Sequence, residues 1–153
     1  MTDSITRDIT ISAPLSRVWR SLSDHEAFGA WFGVAIDGPF REGTTVRGAY
    51  TKAGCEHLVF MARVTAVQPE RYFAYEWPSY TPEDGQLVDE AWTQVEFRLE
   101  PLGEATRVTV QESGFDRLPE GVRARALLGN TRGWEAQARN FVRSLAAEVV
   151  DGV

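Results

Sequence analysis

Among the carboxylates of this sequence, Glu112 stands in the position best suited to chemistry. It follows Val108 and Val110 at intervals of two and precedes Ser113 and Gly114. In a strand, alternate residues share a face. Glu112 should therefore face the same apolar interior as the two valines, at the strand end. A carboxylate there can bind or orient a polar ligand at a cavity mouth. Where burial raises its pKa it can also act as a general base. Glu112 is thus the candidate catalytic residue and a candidate ligand contact, with the hydroxyls of Tyr50 and Tyr75 placed to position an oxygen. The competing reading is a strand-end carboxylate that pairs with an arginine or caps a turn.

The other reactive side chains form no set. His25 and His57 are the only histidines, one at the start of an expected helix and one at a strand edge. Cys55, the single cysteine, sits between Gly54 and Glu56 in a turn and has no internal disulfide partner. Two separated histidines and one cysteine do not make a structural zinc site, so no metal is expected. The chain has no Gly-rich phosphate loop, nucleophile elbow or HExxH helix, and no cofactor is assigned. Lys52, the only lysine, lies in an expected hairpin.

Aromatic residues are the larger signal. The chain has 5 Trp, 4 Tyr and 8 Phe. Strand parity puts Phe73, Tyr75 and Trp77 on one face, Thr93, Val95, Phe97 and Leu99 on another, and Tyr50 with Val46. Met61 shares parity with Val59, a pair that a bulge would switch to the other face. Helical spacing adds Trp31, Trp134 and Phe141. Trp31, Tyr50, Met61, Tyr75, Trp77, Phe97, Glu112, Trp134 and Phe141 are therefore the candidate ligand-binding residues. Their chamber would be apolar with a few convergent polar groups. The alternative is a fully packed core.

The elements that would hold these residues are legible from periodicity. Ile5, Ile9 and Ile11 share one parity of a first strand, interrupted only by Arg7. Pro14 opens a helix carrying Leu15, Val18, Trp19 and Leu22, and Asp24 caps a second helix with Phe28, Trp31 and Phe32 inward. Strands are expected near 44–51, 57–67, 71–77, 92–100 and 105–112. Residues 78–91, with Glu83, Asp84, Asp89 and Glu90, read as an exposed acidic loop. From Thr131 to Val149 the stripe Trp134, Ala138, Phe141, Leu145 and Val149 marks a long helix, with Glu135 facing away. A separate helical turn is expected near 119–128. About six strands, two early helices and one late long helix make an α+β fold, expected as a single domain over 1–153.

Composition sets the outer limits. With 16 basic and 22 acidic residues the formal net charge is −6, which disfavours nucleic-acid binding because phosphate contacts need a concentrated basic surface. No apolar run is long enough for a membrane span. The N-terminus lacks a signal-peptide pattern, and a cytoplasmic protein is expected. A homodimer is compatible with the sequence, which locates no interface for one.

Several of these segments together resemble the Hsp90 ATPase activator homologue 1-like family, within the START/Bet v 1-like or SRPBCC superfamily. They are Ile9-Thr10-Ile11-Ser12-Ala13-Pro14, Val18-Trp19, Trp31-Phe32 and Tyr75-Glu76-Trp77. They continue with Gly103 to Val110, Glu112-Ser113-Gly114-Phe115 and Gly133-Trp134, so that the resemblance spans residues 5–149. It implies a helix-grip fold, a curved antiparallel sheet closed around the last helix, in which the superfamily often holds a lipid-like, hormone-like or polyketide-like ligand. It thereby implies binding of a small hydrophobic or amphipathic molecule. The alternatives it carries are a cyclase- or hydrolase-type enzyme and a stress-related co-chaperone contacting Hsp90. Co-chaperones of the group also use an N-terminal domain for Hsp90 activation, and the resemblance here covers only the C-terminal type of module.

Overall fold

The structure is a computed structural model that describes residues 4–54, 58–80 and 87–151. Cys55, His57, Glu83 and Asp84 lie outside those residues. In chain order the elements are β1 (Ser4–Ile11), α1 (Leu15–Ser23), α2 (His25–Phe32), β2 (Val34–Ile36) and β3 (Thr45–Tyr50). They continue with β4 (Val59–Gln68), β5 (Tyr72–Tyr80), β6 (Leu87–Leu102), β7 (Ala105–Ser113), a 3-10 turn at Phe115–Arg117 and α3 (Glu120–Asp151). The strands form one antiparallel sheet in the order β1-β7-β6-β5-β4-β3-β2. The core lies between its inner face and the three helices. This is the α+β helix-grip arrangement expected above, with one strand more than counted.

Local chemistry explains most boundaries. The Asp24 side chain accepts from the Ala27 amide at 3.2 Å and caps α2, as its position in the sequence suggested. Gly33 ends α2 with φ 86°, the left-handed conformation that glycine adopts without strain. The chain then turns directly into β2, whose Val34 pairs with Tyr50. Three residues are too few to show a period, which is why β2 escapes sequence analysis. Gly29 of α2 packs against that strand so closely that an added Cβ would sit 2.2 Å from the Val34 carbonyl oxygen.

Two expected boundaries are corrected. The segment 78–91 is not one loop: β5 runs to Tyr80 and β6 begins at Leu87. Pro78 is tolerated because the register shifts between Pro78 and Ser79, and a bulge spares the ladder bond a proline cannot donate. The long helix starts at Glu120 rather than Thr131, running unbroken through Gly121, Gly129 and Gly133 for 32 residues. Each interior glycine costs about 1 kcal/mol of helix propensity, but Val122, Ala126 and Leu127 pack against the core in these turns, and such packing outweighs propensity. At 1.5 Å per residue the helix is roughly 48 Å long.

Alternation holds well on the inner face. In β6, Thr93, Val95, Phe97 and Leu99 are buried while Arg98 and Glu100 are exposed. In β7 the buried row is Thr106, Val108, Val110 and Glu112. Arg7 shares the parity of Ile5, Ile9 and Ile11 and reaches α3, where it pairs with Glu135 at 2.8 Å. The residue that broke the apolar row of β1 thus fastens that edge strand to the helix.

Candidate functional site

Register brings the polar site together. Trp77 of β5 lies opposite Thr93 of β6, and Glu112 of β7 lies opposite Val95. Thr93 and Glu112 are therefore diagonal neighbours on one face, within side-chain reach. From above, Asn130 and Trp134 are four residues apart on α3 and so project from the same side of it.

All four side chains converge on Glu112, which is fully buried. Its Oε2 accepts from Trp77 Nε1 at 2.8 Å and Thr93 Oγ1 at 2.6 Å. Its Oε1 accepts from Trp134 Nε1 at 2.8 Å. Asn130 Nδ2 donates to both oxygens, at 3.1 and 3.0 Å. Burial pushes the carboxyl pKa above its ordinary value, while the bonds from Thr93, Trp77, Trp134 and Asn130 pull it back. No arginine or lysine among the described residues is bonded to it. An indole N–H can only donate, so two of the four partners fit the ionised carboxylate and have no use for a proton on it.

The volume beside this cluster is unevenly distributed. Directly beneath α3, between Trp31, Phe97, Val110, Trp134 and Phe141, the void is about 10 Å³, room for roughly one water at most. A larger cavity of about 180 Å³ opens to one side, lined by Phe32, Tyr50, Trp77, Asn130, Gly133, Trp134 and Gln137. Phe32, Trp77 and Trp134 make a continuous aromatic wall, with ring centroids 5.8–6.2 Å apart. Gln137 is held by a bond from its Nε2 to the Phe32 carbonyl at 2.9 Å and accepts from Asn140 at 3.1 Å.

The candidate residues separate accordingly. Of these two spaces, Tyr50, Trp77 and Trp134 line the larger cavity, whereas Trp31, Phe97 and Phe141 line the small void. Trp31 spends its polar group on the Ser21 carbonyl at 2.9 Å. Glu112 lies behind the cavity wall, bonded to three residues that form it. Tyr75 is fully buried between Phe73 and Trp77 and lines neither space. Its hydroxyl has no hydrogen-bond partner among the described residues. Burial pushes its pKa well up, with Glu112 and Tyr50 adding to the effect. Met61 is on the opposite parity from the buried Phe60, Ala62 and Val64, and turns away from both spaces. The bulge lies further along, between Val64 and Ala66, and does not switch it.

Sequence reasoning misses Asn130, Gly133 and Gln137 as cavity residues. Asn130 is recoverable: it stands one helical turn before Trp134, but the apolar stripe opens the helix at Thr131, one residue after it. Gly133 reads as a helix opener, yet it lies within α3 and in the cavity lining, where a Cβ would meet nothing within 4 Å. Among the described residues no group of three or more His, Cys, Asp or Glu could hold a metal ion, and no helix is long and apolar enough to cross a membrane.

Residues 12–146 match the family model described as activator of Hsp90 ATPase homolog 1-like protein. The chain belongs to this family. Solved structures similar to this activator-homologue-like chain include protein MLL2253 from Mesorhizobium loti, 21% identical with a TM-score of 0.75 over 94% of this chain and 97% of that one. A protein from Arthrobacter aurescens is 20% identical with a TM-score of 0.80, covering 95% and 87%. CalU16 from Micromonospora echinospora is 19% identical with a TM-score of 0.66, covering 97% and 79%. At these identities the likeness establishes the fold that the activator-homologue-like domain shares with them, a fold consistent with ligand cavities in general. No curated protein matches the chain.

Proposed function

We propose that this chain binds a small, largely apolar molecule in the space between α2, β3, β5 and α3. The observation that supports this most is the 180 Å³ cavity with its aromatic wall and few polar groups, the Asn130 and Gln137 amides and the Tyr50 hydroxyl, among its lining residues. Apolar cavities of roughly 150 Å³ accept a benzene-sized guest, so this one suits a single ring or the end of a longer ligand. Burial against the wall would supply about 25 cal/mol for each Å² of apolar surface removed from water. The reading relocates the ligand from beneath the helix, where Trp31, Phe97 and Phe141 have closed the space, to its flank at Tyr50, Trp77 and Trp134.

In this reading Glu112 works through the residues it holds. A general base needs an open lone pair within reach of the proton it takes, and each oxygen of Glu112 already receives at least two donors. The carboxylate instead fixes the orientation of Trp77, Trp134 and Asn130. The test is a Gly133→Leu variant, which extends a side chain from an open position of the cavity lining. Binding of ring-sized apolar compounds, followed by NMR titration, should be saturable in the wild type and lost in the variant. Equal binding by both proteins would reject the site.

A further inference from the structure

Asn130 lines the cavity with its amide held in one orientation, and that orientation bears on the class of molecule the cavity takes. Asn130 donates through Nδ2 to both oxygens of Glu112. Which amide atom faces Glu112 follows from chemistry: a carboxylate already facing two indole N–H groups has use for a donor, not for a carbonyl oxygen. Turning the amide over would set an oxygen about 3 Å from two carboxylate oxygens. The Asn130 Oδ1 is therefore directed away from Glu112, and it makes no hydrogen bond among the described residues. Asn130 is part of the cavity lining, which makes this oxygen the candidate acceptor for an occupant. The lining holds no lysine, arginine or histidine, and a buried carboxylate stands directly behind it.

We propose that the site selects ring-sized apolar molecules bearing a hydrogen-bond donor, a hydroxyl or an amine, which Asn130 Oδ1 accepts, and that it rejects carboxylates. The selection rests on the binding site proposed above and adds its polar specificity. A donor pairs with Oδ1. An ether oxygen at the same place faces another acceptor and remains unpaired, and an anion meets the field of Glu112 with no cation to offset it. Asn130 is a binding residue in this scheme and Glu112 a positioning residue, since Glu112 acts only by deciding which end of the Asn130 amide faces the ligand.

Three probes sharing one ring separate the possibilities: phenol, anisole and benzoate, titrated into the wild-type chain and followed by NMR. One neutral hydrogen bond corresponds to about a fivefold difference in affinity. Phenol should therefore bind about fivefold more tightly than anisole, with benzoate weaker than either. In Asn130→Leu, anisole should still bind and the phenol preference should fall to about one. Equal binding of phenol and anisole by the wild type overturns the selection, as does a preference unchanged in Asn130→Leu. The wild-type comparison decides the matter even if the variant does not fold. Gly133→Leu separates the two levels. If it blocks every probe while phenol and anisole bind the wild type equally, the cavity stands and the selection falls. If it blocks none, or if no probe binds the wild type, the cavity reading fails and the selection fails with it.

Discussion

Replacing Glu112 by glutamine keeps the shape of the buried cluster and changes only its hydrogen-bonding logic. Glutamine has one oxygen where glutamate has two. With that oxygen in the Oε2 position it still accepts from Trp77, Thr93 and Asn130, but its NH2 group then faces the Trp134 N–H, a donor against a donor at 2.8 Å in the native geometry. Turned over, it strands Trp77 instead. One buried indole N–H is orphaned either way, at a cost of about 1–3 kcal/mol. Loss of charge weakens the remaining bonds by on the order of 1 kcal/mol each, and relief of burying that charge, the larger of the two effects since burial dominates the raised pKa, offsets this. The expected net loss is therefore about 1–3 kcal/mol, a fall of roughly 3–10 °C in Tm for a chain of this size. Thermal and urea unfolding at pH 7 measure it. The pH dependence gives a second reading. Burial raises the native pKa of Glu112 above its ordinary 4.5, so the native state holds that proton more tightly than the unfolded chain does. The stability this adds is fully present below about pH 4.5 and is lost as pH rises through the native pKa. Since the glutamine side chain of E112Q does not titrate, the wild type should exceed the variant by more at pH 4 than at pH 8. A glutamine variant as stable as the wild type at pH 7 would refute the donor count, and a gap that widens with rising pH would refute the dominance of burial.

Three further substitutions test separate parts of the structure. Tyr75→Phe removes a buried hydroxyl without a hydrogen-bond partner among the described residues, so it should leave stability unchanged or raise it by up to about 1 kcal/mol in urea unfolding. A clear loss would reveal a partner for that hydroxyl. Gly133→Ala adds a methyl in open space within α3 and should stabilise by about 0.5–1 kcal/mol, seen as a higher Tm. Gly29→Ala drives a Cβ onto the Val34 carbonyl, 2.2 Å away. It should destabilise by about 1–3 kcal/mol through displacement of α2 from β2, and an unchanged Tm would contradict that close approach.

Strand parity carries the inner face of β6 and β7 well, because each alternates a buried apolar row with a polar outer one. It misplaces Met61 because β4 has apolar residues on both parities, Phe60 and Ala62 against Val59 and Met61, leaving hydropathy with nothing to choose between. The α3 stripe is legible from Trp134 onward. Its first turns are obscured by Gly121 and Gly129, whose propensity cost is overcome by contacts that periodicity does not contain. Glu112 stands out as a carboxylate on an apolar parity, but its four donors come from β5, β6 and α3. Nothing in sequence spacing brings Trp77, Thr93, Asn130 and Trp134 to one point. Cavity volume is equally illegible: Trp31, Phe97 and Phe141 look the same in sequence whether they line a chamber or fill it.

The most direct measurement is the indole N–H region of the NMR spectrum during titration with phenol, assigned for all five tryptophans. Trp77 and Trp134 line the cavity while Trp31 is bonded elsewhere. The two cavity indoles should therefore shift saturably in the wild type, with Trp19, Trp31 and Trp92 little changed, and should not respond in Gly133→Leu. Shifts centred on Trp31, or cavity-indole shifts that persist unchanged in Gly133→Leu, would contradict a ligand site on the flank of the helix.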